Sequence, residues 1–291
     1  MTAKLSPQLH RLERLALRYR GGLTSYNSGK RLTNKHGTSL EFADYRPYLP
    51  GDDPRRVDWS LYGRSHRLYT RLNRSEVDAT VNFLIDGSGS MDWGTPHKGE
   101  RALELTLSLA YLSLQAYDRV SVAVGAKAPT RYLPPLYGKG SFTQVLHFLE
   151  EQEFDQEGDL NTLLYSYYAS VRPHQLTVIL SDFLSPGGYE QGLLRLLAAR
   201  QNVIVFHLVS PDEVEPEERG PLQLVDTETK VKKEVDVDPY LLQRYRDGVH
   251  RHGAQIQEFC RIRGIHYSLY NTEQNPVDFL LANATRLFRT L

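Results

Sequence analysis

At 291 residues, 40% hydrophobic and 24% charged, the chain has room for one large globular domain and a smaller module, which excludes a disordered or fibrous protein. The formal net charge of zero hides a split: residues 1–75 hold 15 Lys+Arg against 6 Asp+Glu, and the remainder 20 against 29. No apolar run nears the ~20 residues that cross a bilayer, no secretion signal opens the chain, and the single cysteine excludes an intrachain disulfide, so the expectation is a cytoplasmic protein.

The basic first quarter lacks zinc-ligand spacing or an aromatic RNA-binding signature. Docking on the acidic remainder or on a protein partner is therefore expected ahead of nucleic acid. Ser6 to Arg20 places Leu9, Leu12, Leu15 and Leu17 among basic residues, an amphipathic helix pattern. Gly21 to Gly37 is polar and rich in Gly, Asn and Ser, an exposed loop. From Glu41 to Trp59 prolines and a Pro-Gly step argue for a compact, hydrogen-bonded turn structure rather than a long element. Within it, Asp52, Asp53, Arg55, Arg56, Asp58 and Trp59 read as an anchoring block, with Trp59 covering the edge of the core. Arg64 to Asn73 alternates as a strand.

From residue 79 strands and helices take turns. The strand 80–86 precedes a helix near 97–117, whose Leu103, Leu105, Leu107 and Leu109 also alternate like a strand; length and Leu/Ala richness favour the helix. A strand at 119–126, helices near 141–152 and 160–171, a strand at 175–182, a helix at 187–199 and a strand at 202–209 follow. A hairpin over 223–236, a long helix from Pro239 carrying Cys260 as a core residue, a strand at 265–270 and a closing helix complete the chain. In that last helix Asn275 caps, Pro276 takes the first helical position, and Val277, Leu280, Leu281, Ala284, Leu287, Phe288 and Leu291 form one stripe. The ten His residues show no paired ligand spacing; His66 and His97 read as solvated or capping.

Such alternation predicts an α/β fold, a doubly wound, mostly parallel sheet with helices on both faces. The domain layout is a basic, turn-rich segment over 1–75 and the α/β domain over 76–291. Ligands of such sheets bind outside the carboxyl ends of the strands, at a switch in strand order. Asp86 and Asp182 both close apolar strands there. After Asp86, small residues present Ser88 and Ser90 to one point, and a carboxylate with two hydroxyls suits a hard cation such as Mg²⁺. For both carboxylates helix capping is the alternative role.

Three stretches carry a resemblance: Asp86-Gly87-Ser88-Gly89-Ser90, Leu180-Ser181-Asp182-Phe183-Leu184, and Asp44-Tyr45-Arg46-Pro47-Tyr48 with Gly51-Asp52-Asp53-Pro54-Arg55-Arg56-Val57-Asp58-Trp59. Together with the hairpin sequence Leu224-Val225-Asp226-Thr227-Glu228-Thr229, they resemble the bacterial "domain of unknown function 58" family, a von Willebrand factor type A-like family. The resemblance implies a six-stranded open sheet and a metal-ion-dependent adhesion site for Mg²⁺, or Mn²⁺ or Ca²⁺ in its place. Ser88 and Ser90 would ligate directly, while Asp86 and Asp182 would bind directly or through water. Type A domains add a threonine; in family register Gly158 or Asp159 stands there, with Thr162 one helical turn further on.

The resemblance further implies a non-catalytic interaction module whose cation takes a partner's acidic side chain. Its expected partner is a MoxR-type AAA+ ATPase, or the client of one, in protein or complex maturation. The competing class is a metal-dependent hydrolase or phosphoryl transferase using Asp86. Against it, Ser88 stands where a second carboxylate would be needed, and the motif is neither a Gly-x-Ser-x-Gly elbow nor a phosphate loop.

Overall fold

The computed structural model describes residues 8, 11–13, 42–48, 57–73, 80–154, 157–168, 172–216, 219–225 and 231–289. By internal contacts the chain divides into two units, Ser28–Ala79 and Met1–Asn27 with Thr80–Leu291.

In the smaller unit β1 (Phe42–Pro47) pairs antiparallel with β2 (Tyr69–Asn73), and α1 (Trp59–Ser65) lies between them in sequence. Within the stretch expected to hold no long element, a short strand of six residues forms, β1. Pro47 is the last residue of a strand in a two-stranded ribbon, where a missing N–H is tolerated. The strand expected from Arg64 starts only at Tyr69, because α1 runs through Ser65. Asp58 caps that helix, its Oδ1 accepting from Ser60 N at 2.9 Å and Leu61 N at 3.0 Å. Trp59 does not cover a core edge. It opens a helix with no buried residue and is 63% exposed. Asp52, Asp53, Arg55 and Arg56 of the expected block, and the Gly21–Gly37 stretch, lie outside the described residues.

The larger unit is built on a six-stranded sheet. In chain order its strands are β3 (Thr80–Asp86), β4 (Arg119–Gly125), β5 (Pro129–Leu136), β6 (Leu176–Ser181), β7 (Asn202–Val209) and, after the exposed hairpin β8 (Gly220–Val225) and β9 (Lys232–Val237), β10 (His266–Asn271). The spatial order is β10-β7-β6-β3-β4-β5, parallel except for β5. All seven residues of β3 are buried, as a central strand covered on both faces requires. β5 was not anticipated. Three prolines disguise it, and they are tolerated because it pairs only with β4 at the sheet edge.

On one face pack α2 (Lys98–Gln115), α3 (Phe142–Glu150) and α8 (Pro276–Arg289), meeting Val81, Phe83 and Ile85 of β3. On the other pack α4 (Leu160–Tyr168), α5 (Glu190–Ala198) and α7 (Pro239–Ile262), meeting Leu84, Ile179 and Val205. The pleat sends alternate residues to opposite layers. Each fully buried Leu, Ile or Phe contributes roughly 1.5–3 kcal/mol relative to exposure. In α2 fifteen of 18 residues are buried, which explains how a helix can carry leucines at strand-like alternation. Leu12 is also fully buried in this core, and Arg11 pairs with Asp278 at 2.6 Å. Cys260 is buried, its thiol pushed up to about 12 by burial, which outweighs Arg263. Asn275 caps α8 as expected, accepting from Val277 N at 2.9 Å.

Candidate functional site

Strand order reverses between β3 and β6: the chain continues from β3 to β4 on one side, and β6 returns on the other. Their carboxyl ends bring Asp86 and Ser181-Asp182 together where an open α/β sheet binds its ligands.

Asp86 is buried, and hydrogen bonds fix both oxygens. Oδ1 accepts from Ser88 N at 3.0 Å, and Oδ2 from Ser181 Oγ at 2.6 Å. Ser181 Oγ also accepts from Phe183 N at 2.9 Å, which stabilises a turn with Phe183 at φ +59°. A bulky residue in that region stores on the order of 1–2 kcal/mol of strain. The Phe183 ring offsets it by packing edge-on against Tyr189 and His207 at 5.3 and 5.7 Å. On the other side Gly87 N donates to Gly125 O at 2.8 Å. A Cβ on Gly125 would fall 1.9 Å from the Ala128 carbonyl oxygen, so only glycine fits beneath the turn.

Ser88 opens a single 3₁₀ turn, Gly89–Met91, whose Met91 is anchored in the core. The Ser88 and Ser90 hydroxyl oxygens stand 3.0 Å apart. A shallow cleft beside them is lined by Asp86, Ser88, Gly158, Asp159, Leu160, Leu184 and Ser185. The loop before α4 therefore supplies Gly158 and Asp159, not a threonine. Asp159 Oδ1 accepts from Thr162 N at 2.8 Å, so it acts as a helix cap and Thr162 sits within the first turn.

Asp182 does not face the cleft as a free ligand. Oδ1 accepts from Leu184 N at 3.0 Å, and Oδ2 accepts from Lys98 Nζ at 2.7 Å. Lys98, only 1% exposed, also donates to Glu213 Oε1. Burial pulls its ammonium pKa down, but Asp182 and Glu213 outweigh that and the net shift is upward. Glu213 belongs to α6 (Pro211–Val214), a one-turn helix in which it forms a reciprocal cap with Ser210. Sequence reading missed Lys98 and Glu213. No local signal marked them: Gly99, Glu100 and Arg101 separate Lys98 from the leucine-rich run that begins at Leu103, so its burial was not legible from its neighbours.

Burial and the neighbouring Asp182 charge push the Asp86 carboxyl up to about 6, against the opposing hydrogen bonds from Ser181 and Ser88. His207 of β7 is held down to about 4 by burial and by His252, and its Nδ1 lies 2.9 Å from the Tyr267 hydroxyl. His97 caps α2, accepting from Glu100 N, and its Nε2 lies 2.8 Å from Asp92 Oδ1. Among the described residues no three His, Cys, Asp or Glu side chains converge as a ligand cluster. The oxygen donors that could hold a cation here are the Ser88 and Ser90 hydroxyls and the Asp86 carboxylate. The donors suit a hard ion: adjacent ligands at 2.0–2.1 Å in an octahedron lie ~3.0 Å apart.

The family described as "Protein of unknown function DUF58" matches residues 44–255. The chain belongs to the DUF58 family. An uncharacterized protein of Mycobacterium bovis is 26% identical over 230 residues, covering 77% of this chain and 72% of its own length. One of Mycobacterium avium is 31% identical over 107 residues, covering 37% of this chain and 63% of its own. Among solved structures, BatB from Bacteroides thetaiotaomicron aligns at 13% identity and a TM-score of 0.43, over 72% of this chain and 99% of that one. An aerotolerance-related membrane protein from Bacteroides fragilis aligns at 15% and 0.45, again over 72% and 99%. In this DUF58 chain no described helix is long and apolar enough to cross a membrane.

Proposed function

We propose that this DUF58 chain is a non-catalytic protein-interaction module of von Willebrand type A-like kind. In this reading Mg²⁺, or Mn²⁺ or Ca²⁺ in its place, is held by Asp86, Ser88 and Ser90 with Asp182 behind them. The observation that carries it is the pair of hydroxyls 3.0 Å apart, beside an anchored buried carboxylate at the switch in strand order. Hydroxyl ligands leave most of the ion's charge uncompensated, so it supplies an electrophilic point for a carboxylate from another protein. Asp159 stands in the threonine's place with its Oδ1 turned to capping, so the third hydroxyl of a type A site is missing and a low affinity is expected. The partner, a MoxR-type AAA+ ATPase or its client in protein maturation, is the part that rests on the family resemblance.

Calorimetric titration with Mg²⁺ and Mn²⁺ tests the cation, with weak binding lost in Ser88→Ala/Ser90→Ala as the expected result. Pull-down of the ATPase from the same genome, with Mg²⁺ against chelator, tests the partner. Association indifferent to both chelator and Asp86→Ala would move the interface to another surface. Mg²⁺-dependent turnover of phosphate esters abolished by Asp86→Ala would replace the module with an enzyme.

A further inference from the structure

A lysine is almost never fully buried unless paired, and the pairing of Lys98 takes up the carboxylate that a cation would otherwise recruit. Its Nζ donates to Asp182 Oδ2 at 2.7 Å, while Asp182 Oδ1 already accepts from Leu184 N at 3.0 Å. Both oxygens of Asp86 also accept hydrogen bonds, but from neutral donors, whereas Asp182 alone of the two is paired with a cationic one. The ammonium is itself held from a second side by Glu213, whose Oε2 accepts from Ser210 N at 2.9 Å. A neighbouring contact, Thr95 N to Asp212 Oδ2 at 3.0 Å, joins the loop before α2 to the same helical turn. Lys98 is therefore clamped in place by the loops after β6 and β7, and swinging away from Asp182 would strip a buried charge of a partner.

Resting on the cation reading above, we infer that Lys98 is a positioning residue that withholds Asp182 from the cation. The ion then relies on Asp86 and the two hydroxyls, and it stays weakly bound and electrophilic until a partner carboxylate completes its shell. Cation affinity in oxygen sites rises with the number of charged ligands. A fixed ammonium on Asp182 is a direct way to keep that number low.

The test is a cycle of Mn²⁺ titrations on the full chain: parent, Lys98→Met, Asp182→Asn and the double variant. Calorimetry reads affinity, and circular dichroism with thermal midpoints reads the fold. Lys98→Met is expected to bind Mn²⁺ at least tenfold tighter, with a midpoint lowered without the ion and raised by it more than in the parent. Adding Asp182→Asn should erase the gain, and Lys98→Arg, which keeps the charge, should retain the parent affinity. Unchanged or weaker binding by folded Lys98→Met overturns the inference while leaving the cation reading intact. If Lys98→Met does not fold, Asp182→Asn alone decides. With Asp182 already withheld by Lys98, its Mn²⁺ affinity should stay close to that of the parent, and a loss of binding by the folded variant overturns the inference. Binding by Lys98→Met alone would end the cation reading for the parent and leave the role of Lys98 standing. No binding by either at millimolar Mn²⁺ ends both.

Discussion

At the scale of single residues, Asp86 is costly to keep ionised. Its carboxyl pKa rises from 3.8 to about 6 on folding, through burial first and the Asp182 charge second. Folding therefore takes up a proton, a contribution fully present below about pH 3.8 and lost as pH rises through about 6. Asp86→Asn is nearly the same shape without the charge. Without cation at pH 8 it should stabilise the fold by roughly 1–3 kcal/mol, and that gain should vanish near pH 4. Denaturant melts across this range measure it, and a loss of stability at pH 8 would contradict the electrostatic account. In the proposed cation site the ion would compete with the proton for this carboxylate, so Mn²⁺ affinity in the parent should fall as pH drops below about 6. His207 has the opposite sign. Its folded pKa, lowered to about 4, gives stability present above pH 6.5 and lost as pH falls through 4.

At the scale of elements, the site depends on turns that tolerate little change. Gly125→Ala would push a methyl into the Ala128 carbonyl and displace the backbone that receives Gly87 N. A loss of about 1–3 kcal/mol is expected, and the Mn²⁺ binding proposed for this site should weaken although none of its proposed ligands has changed. Thermal melts paired with titration check both parts. Asp159→Ala removes the cap of α4 and should cost about 1 kcal/mol. If Asp159 were instead a cation ligand, the same change would weaken Mn²⁺ binding far more than it weakens the fold. Most elements were legible because their periodicity and caps agreed, as in α8 with Asn275 and Pro276. β1 and β5 were not, since prolines suppress the strand signal unless the strand is known to lie at an edge.

Over the whole molecule, the basic first quarter is not one piece. Leu12 lies in the core of the α/β unit, whereas Ser28–Ala79 forms its own unit. Leu12→Ala should therefore destabilise the α/β unit by about 2–5 kcal/mol. A chain starting at residue 76 should show at least that loss in chemical denaturation. Equal stability of the shortened and whole chains would mean that Leu12 adds nothing to that core.

The sequence by itself determined the alternation of strands and helices, the central buried strand ending at Asp86, and the hydroxyls placed two and four residues beyond it. These are local properties, set by side-chain period and by the small residues that allow a tight turn. Tertiary structure decided which charges meet. Lys98 lies 84 positions from Asp182 and 115 from Glu213, and no local pattern encodes a pairing across that separation. The order of strands alone brings the start of α2 against the ends of β6 and β7. Burial there forces an ammonium to find two carboxylates, because an uncompensated charge in that interior would cost more than the fold could supply.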